Sequence, residues 1–228
     1  MPFSQRSVDF LIENSLHDSR DWYNEHKPEY REFVVEPMKE FMEALRPTLE
    51  AIDGRIECDT RRISRLFRDT RYLRGRSLFR DNVWCSFAIG RGLFECPAEF
   101  YFDFSPDGYS YGLGWYQTPP GVMAAMRELA AEGAKSFKEA KKAYEKQNAF
   151  VMGGDEYKRD HFPDALQEIK TWINRRSIYF HKECSDWELF GSNDLAAAVA
   201  QDYMLLAPVA RFLAECQERD KLNANIVE

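Results

Sequence analysis

The sequence predicts an α+β fold in a single domain over residues 1–228, with a small, mainly antiparallel sheet of 3–5 strands packed among helices from both ends of the chain. Three observations carry this. Apolar residues recur three or four apart across residues 20–50 and again beyond 192, which is the helical period. In residues 99–116 they alternate with polar ones on both sides of an Asp-Gly pair, the period of a half-buried hairpin. No repeat, low-complexity run or linker interrupts the chain to mark a boundary.

Composition narrows the class. At 44% hydrophobic and 14% aromatic residues, the chain has ample material for a core and is not of the disordered type. No apolar run approaches the ~20 residues needed to cross a bilayer, and the first residues lack the basic start and apolar stretch of a secretory signal. Five cysteines, odd in number and with no close pair, suit a reducing cytoplasm better than a disulfide framework, so a cytoplasmic protein is expected.

Residues 7–15 read as a short helix, and Asp18 or Ser19 can cap a second. In that second helical stretch Trp22, Tyr23, Tyr30, Phe33, Val34, Met38, Phe41, Met42, Leu45 and Leu49 form the apolar stripe. Pro28, Pro37 and Pro47 predict breaks near 27, 36 and 46. Trp22 and His26 share a helix face, where a packed or helix-ending histidine is expected ahead of a proton carrier. Residues 83–89 alternate as a strand, and residues 62–67 are a weaker strand candidate that would deliver arginines to the sheet.

With Asp107-Gly108 as the hairpin loop, Phe104 would face Tyr111, Phe102 Leu113 and Phe100 Trp115, all on one surface. On the other surface Gly112 and Gly114 point to close approach by a neighbour, most simply another part of the protein. Thr118-Pro119-Pro120 starts a helix with a hydroxyl cap, ended by Gly133. Ser136 with Glu139 makes a capping-box pattern for the next. Gly153-Gly154 marks a turn, Pro163 opens a helix, residues 176–183 are extended, and a C-terminal helix from about 192 kinks at Pro208.

Function is sought in residues 61–80, RRISRLFRDTRYLRGRSLFR. Eight arginines less Asp69 give this stretch +7; as the whole chain is −7, the remainder carries −14. Arginine in place of lysine favours contacts that depend on geometry, because a guanidinium offers a planar fork matching carboxylate or phosphate with two parallel hydrogen bonds. The expected site is Arg65, Arg68, Arg71, Arg76 and Arg80, with Asp69 orienting Arg68 or Arg71 and Lys158 as an outlying member. Its expected ligand is a small anion, phosphorylated or carboxylated. Two alternatives stand beside it. The arginines pair internally or dock an acidic partner, in a structural or interaction module. Or the interleaved Phe67, Tyr72 and Phe79 stack on nucleic acid, which the −14 elsewhere disfavours.

No glycine-rich phosphate loop, paired-cysteine metal site or nucleophile elbow is present, so no cofactor, metal or catalytic residue is assigned and enzymatic activity is left open. His181 and Cys184 are a weak zinc pair without partners, and His161 gains meaning only near the arginines. Four pieces together resemble a bacterial family of conserved hypothetical proteins, the domain of unknown function 2461. They are Trp22-Tyr23 with His26-Lys27, the run Phe67-Arg68-Asp69-Thr70-Arg71-Tyr72, Gly154 with Tyr157-Lys158-Arg159, and Pro208 with Phe212-Leu213. The likeness spans nearly the whole chain. Where the family has Asp-Lys-Ser-Pro-Tyr-Lys, this chain has Gly75-Arg76-Ser77-Leu78-Phe79-Arg80, which keeps the positive charge and loses the acid. The resemblance implies a shared architecture and leaves the activity unassigned.

Overall fold

The strand pattern at 83–89 and 99–114 supplies the middle of one antiparallel sheet. In the computed structural model, which describes residues 3–69, 71, 77–90, 98–115 and 117–227, that sheet has six strands in the order β1-β2-β3-β4-β6-β5. The strands are β1 (Ile56–Glu57), β2 (Val83–Ile89), β3 (Glu99–Ser105), β4 (Gly108–Gly114), β5 (Val151–Gly153) and β6 (Tyr179–Cys184). The expected 3–5 strands undercount because β1 and β5, of two and three residues, are too short to show a period; each exists by pairing with β2 or β6.

Register aligns three inward rows: Val83, Phe104, Tyr109 and Cys184; Cys85, Phe102, Tyr111 and Lys182; Phe87, Phe100, Leu113 and Phe180. Nearly all of these are buried, and helices cover them. The helices are α1 (Gln5–His17), α2 (Arg20–Glu25), α3 (Lys27–Tyr30), α4 (Glu36–Ile52), α5 (Pro120–Ala131), α6 (Lys135–Glu145), α7 (Gln167–Ile173), α8 (Trp187–Phe190), α9 (Leu195–Leu205) and α10 (Ala207–Val227). Phe41 of α4 packs on Phe102 at 4.4 Å between ring centroids, Tyr203 of α9 on Phe100 at 4.7 Å, and Trp172 of α7 on Phe180 at 5.6 Å. The outward rows are mostly polar or small: Trp84, Asp103, Ser110 and Glu183; then Ser86, Tyr101, Gly112, His181 and Val151.

The hairpin keeps its predicted face but not its predicted register. Ser105 pairs with Gly108 and Phe104 with Tyr109, so Pro106-Asp107 forms the loop and every partner moves by two residues. Two residues preserve the period, so the same apolar set still faces inward. Proline's fixed φ suits the first loop position, while Gly108 belongs to the strand because a Cβ there would stand 2.7 Å from the Cys184 carbonyl oxygen. Gly112 and Gly114 answer to β6: an added Cβ would lie 1.9 Å from the Phe180 oxygen and 2.4 Å from the Tyr179 Cβ.

Other expectations are corrected. Residues 62–67 form no ladder; a 3-10 turn at Thr60–Arg62 is followed by single bridges, Ile63 to Cys85 and Phe67 to Phe79. The chain bends at His26 as expected, and a π turn at Arg31–Val35 precedes Pro37, which sits in the first turn of α4 where no N–H is needed. Pro47, however, lies inside an unbroken α4. Its cost of about 3 kcal/mol is outweighed by the stripe Met38, Phe41, Met42, Leu45, Leu49 and Ile52, each worth roughly 1.5–3 kcal/mol buried. Thr118 does not cap α5; its hydroxyl accepts from Ile178 N–H across the fold at 3.1 Å. The helix containing Ser136 starts at Lys135, which leaves the Ser136 hydroxyl buried without a partner and no capping box. The helix expected from Pro163 begins at Gln167, and α9 and α10 meet at Leu206, before Pro208.

Gly112→Ala is therefore expected to destabilise the protein by about 2 kcal/mol or more, read as a lower Tm, whereas the same change at Gly54, whose nearest neighbour would be 3.9 Å away, is expected to be mild.

Candidate functional site

The arginine segment attaches to the β2 side of the sheet. Ser64 N–H donates to the Trp84 carbonyl at 2.7 Å, and Trp84 N–H to the Ser64 hydroxyl at 2.9 Å. Beyond it, Arg68 N–H donates to Leu78 O at 2.9 Å and Arg80 N–H to Leu66 O at 2.8 Å, closing the stem of a loop around the Phe67–Phe79 bridge. Phe79 is buried, and Phe67 and Phe79 both pack on Tyr23, at 5.0 and 5.2 Å. Those rings hold the stem, Phe79 buried and Phe67 half-buried.

Asp18 anchors the stem from a distant part of the chain. Its Oδ1 accepts from the Leu78 N–H at 2.7 Å and the Phe79 N–H at 3.3 Å. It is the C-cap of α1 with φ 42°, a left-handed conformation that aspartate tolerates better than most residues. Ser19, the other capping candidate, caps α2 through Trp22 N–H. His26 ends α2 as a packed residue: its ring stacks on Trp22 at 4.1 Å, and its Nδ1 lies 2.8 Å from the Trp22 carbonyl.

The guanidiniums have three kinds of occupation. Arg62, Arg68 and Arg80 serve the frame. Arg62 pairs with Glu99 at 3.1 Å and donates to Gly90 O; Arg68 Nε donates to Phe79 O at 2.8 Å, with Asp81 at 3.9 Å. Arg80 donates to the carbonyls of Arg65 and Phe67, at 2.8 and 3.4 Å, and lies 4.8 Å over the Trp84 ring. Arg71 and Arg61 instead close local clips. Asp69 accepts both the backbone N–H of Arg71, at 3.0 Å, and its guanidinium, at 2.6 Å; Asp59 does the same for Arg61, and Asp53 for Arg55. Hydrogen bonds from the Arg71 side chain and backbone hold the Asp69 carboxyl at about 2, well below the usual carboxylate value. Asp69 thus orients Arg71 and not Arg68. The third kind is Arg65: it is exposed, and its guanidinium has no hydrogen-bond or ion-pair partner among the described residues.

Of the remaining expected members, Arg76 lies outside the described residues, as do Tyr72 and Cys96. Lys158 is exposed and follows β5, at the opposite edge of the sheet. Four strand spacings separate β2 from β5, roughly 19 Å. His161 lies in that same distant region, stacked on Tyr157 at 4.2 Å. His181 and Cys184, three apart on a strand, face opposite sides of the sheet and cannot share an ion; no metal-binding cluster occurs among the described residues. Cys58, Cys85, Cys184 and Cys216 are free, and burial pushes the Cys58 thiol up to about 11.

Sequence reasoning missed the polar network on the outward face beside this segment. Ser110 donates to Asp103 at 2.6 Å, Asn82 donates to the other carboxylate oxygen at 3.4 Å, and Tyr101 hydrogen-bonds Ser110. Burial pushes the Tyr101 phenol up to about 12, the Ser110 bond opposing it. The period of β3 and β4 places these side chains on one face, but only the true register sets Asp103 opposite Ser110. Two open clefts lie away from Arg65, Arg68, Arg71 and Arg80. One of about 500 Å³ is bordered by Glu43, Arg46, Glu50, Asp59 and Arg61, and a second of about 590 Å³ lies beside β6.

The fold and site define an α+β protein with an arginine-rich segment on one flank of a sheet whose inward face is covered by helices. The family model of a conserved hypothetical protein, DUF2461, matches residues 6–212, and the chain belongs to that family. No curated protein matches the chain. No helix among the described residues is long and apolar enough to cross a membrane.

Asp18→Ala is expected to cost about 1.5–3 kcal/mol, the worth of hydrogen bonds to a charged acceptor, in urea unfolding. Asp18→Asn, which keeps an acceptor and tolerates the left-handed backbone, is expected to recover much of that loss.

Proposed function

We propose that the arginine segment recognises an anionic group, a phosphate or carboxylate, with Arg65 making the first contact. The supporting observation is that Arg65 presents an exposed fork with no internal partner, while its described neighbours are engaged. A guanidinium without a prior partner gives up only solvent when an anion arrives, so its bidentate contact is not offset by a broken internal bond. Arg71 is a second contact. Its ion pair with Asp69 is solvent-exposed and therefore weakened by screening, so an incoming anion can exchange for it. In this reading Arg68 and Arg80 are positioning residues that hold the stem, Asp69 orients Arg71, and Lys158 is not part of the group.

A second reading, docking of an acidic protein surface by the same segment, is favoured by one observation: Arg65 and Arg71 both lie exposed on the outside of the segment. Nucleic-acid binding draws no support from Phe67 and Phe79, whose rings pack on Tyr23.

Titration with inorganic phosphate, pyrophosphate and citrate, followed by NMR, separates these roles. Arg65→Ala is expected to lose the response at unchanged Tm. Arg68→Ala is expected to lower stability by about 1–3 kcal/mol, because the Phe79 carbonyl loses its donor. Undiminished phosphate and citrate binding by Arg65→Ala would remove the small-anion reading. Binding confined to acidic polypeptides and lost steeply with salt would select the docking one.

A further inference from the structure

The second cleft is independent of the arginine segment and lies at the opposite side of the sheet, where β5 stops short on β6. Strand β5 pairs with β6 only as far as Val151 opposite His181, so Lys182 and Glu183 continue past its end and border an open space of about 590 Å³. Beneath them α9 brings Asp202 to the sheet. One oxygen of this carboxylate, Oδ2, accepts both the Tyr111 hydroxyl at 2.6 Å and the Lys182 ammonium at 2.8 Å. The pair is partly sheltered, with side-chain exposures of 33% for Lys182 and 18% for Asp202.

Neither partner is saturated. The Asp202 Oδ1 has no hydrogen bond among the described residues, and the ammonium carries three donors of which Asp202 takes one. The cleft wall therefore offers one free anionic acceptor and one free cationic donor side by side. The exposed carboxylate of Glu183 and the amide of Asn148 flank them, and 60%-exposed Val151 supplies an apolar surface. A second, separate observation marks the same place: the Nδ1 of His181, which also borders the cleft, is buried with no hydrogen-bond partner. With one cation against two carboxylates, a simple anion is not favoured here.

We propose that this cleft binds a small zwitterion, a molecule carrying a carboxylate and a protonated amine a few bonds apart, such as a free amino acid. Its carboxylate meets Lys182 and the Asn148 amide, its ammonium meets Asp202 Oδ1, and its carbon skeleton fills the gap beyond the end of β5, toward the rim where Val151 stands. Such a ligand presents the complementary charge pair, so each charge leaving water gains a partner of opposite sign.

The test is an NMR titration of the full chain with L-alanine, compared with propionate and ethylamine, which each retain one of the two charges. Saturable shifts at His181, Lys182, Glu183 and Val151 are expected with L-alanine, and at least about tenfold weaker binding with either half-ligand. Val151→Trp, which fills the cleft from an exposed position, is expected to abolish the shifts at unchanged Tm, and Asp202→Asn to weaken them about tenfold. Should Asp202→Asn fail to fold, Val151→Trp alone carries the comparison. The absence of any saturable shift with L-alanine, an equal response to propionate, or undiminished binding by Val151→Trp overturns the proposal.

Discussion

The structure depends on burying one face of the sheet under helices and giving the other mostly polar, half-buried side chains. Three inward rows, built on Phe87, Phe100, Phe102, Phe104, Leu113 and Phe180, meet rings carried by helices from both halves of the chain. Each such side chain is worth roughly 1.5–3 kcal/mol when removed from water, so the sum over this face exceeds any polar contact elsewhere. That excess explains why α4 tolerates Pro47, and why Tyr203 donates across the core to the Tyr101 carbonyl at 2.6 Å rather than leaving a hydroxyl unpaired in apolar surroundings. It also explains where chemistry can occur: the middle of the inward face is filled, and polar groups collect on the outward face and at the two sheet flanks.

The arginines follow from the same constraint. A segment that joins no ladder among its described residues needs other hydrogen bonds, and guanidiniums supply several from one side chain. Arg62, Arg68 and Arg80 direct theirs at carbonyls of the segment and its neighbours, and the Asp18 carboxylate meets the Leu78 and Phe79 N–H groups from the end of α1. The rich positive charge of residues 61–80 is thus divided between frame and surface. The surface share is what an external anion can reach.

How legible this was depended on distance along the chain. The face of each long strand was readable because a strand's period is local, and the meaning of Gly112 and Gly114 was readable because a missing side chain implies a close neighbour. Hairpin register was not: Pro106-Asp107 and Asp107-Gly108 both make acceptable turns, and the packing of Gly108 against the Cys184 carbonyl selects between them. Capping expectations at Thr118 and Ser136 failed for a related reason. A hydroxyl followed by a helix is a local cue, but Ile178 N–H, 60 residues away, claimed Thr118. In the candidate site, the Asp69–Arg71 clip was nearly readable from its two-residue spacing, whereas Asp18, 60 residues from Leu78, and Asp202, 91 from Tyr111, left no signal in sequence.

By itself, the sequence determined the α+β class, the inward face of the long strands, the bend at His26 and a concentration of arginine between 61 and 80, because periodicity, proline and charge act over a few residues. Tertiary structure alone decided the two short edge strands, the hairpin register, which of the described guanidiniums are engaged and that Arg65 has no partner among the described residues, and the meeting of Lys182 with Asp202. Each of those outcomes turns on partners supplied by segments far apart in the chain, and an orphan donor or acceptor finds its match only once the buried face has brought those segments together.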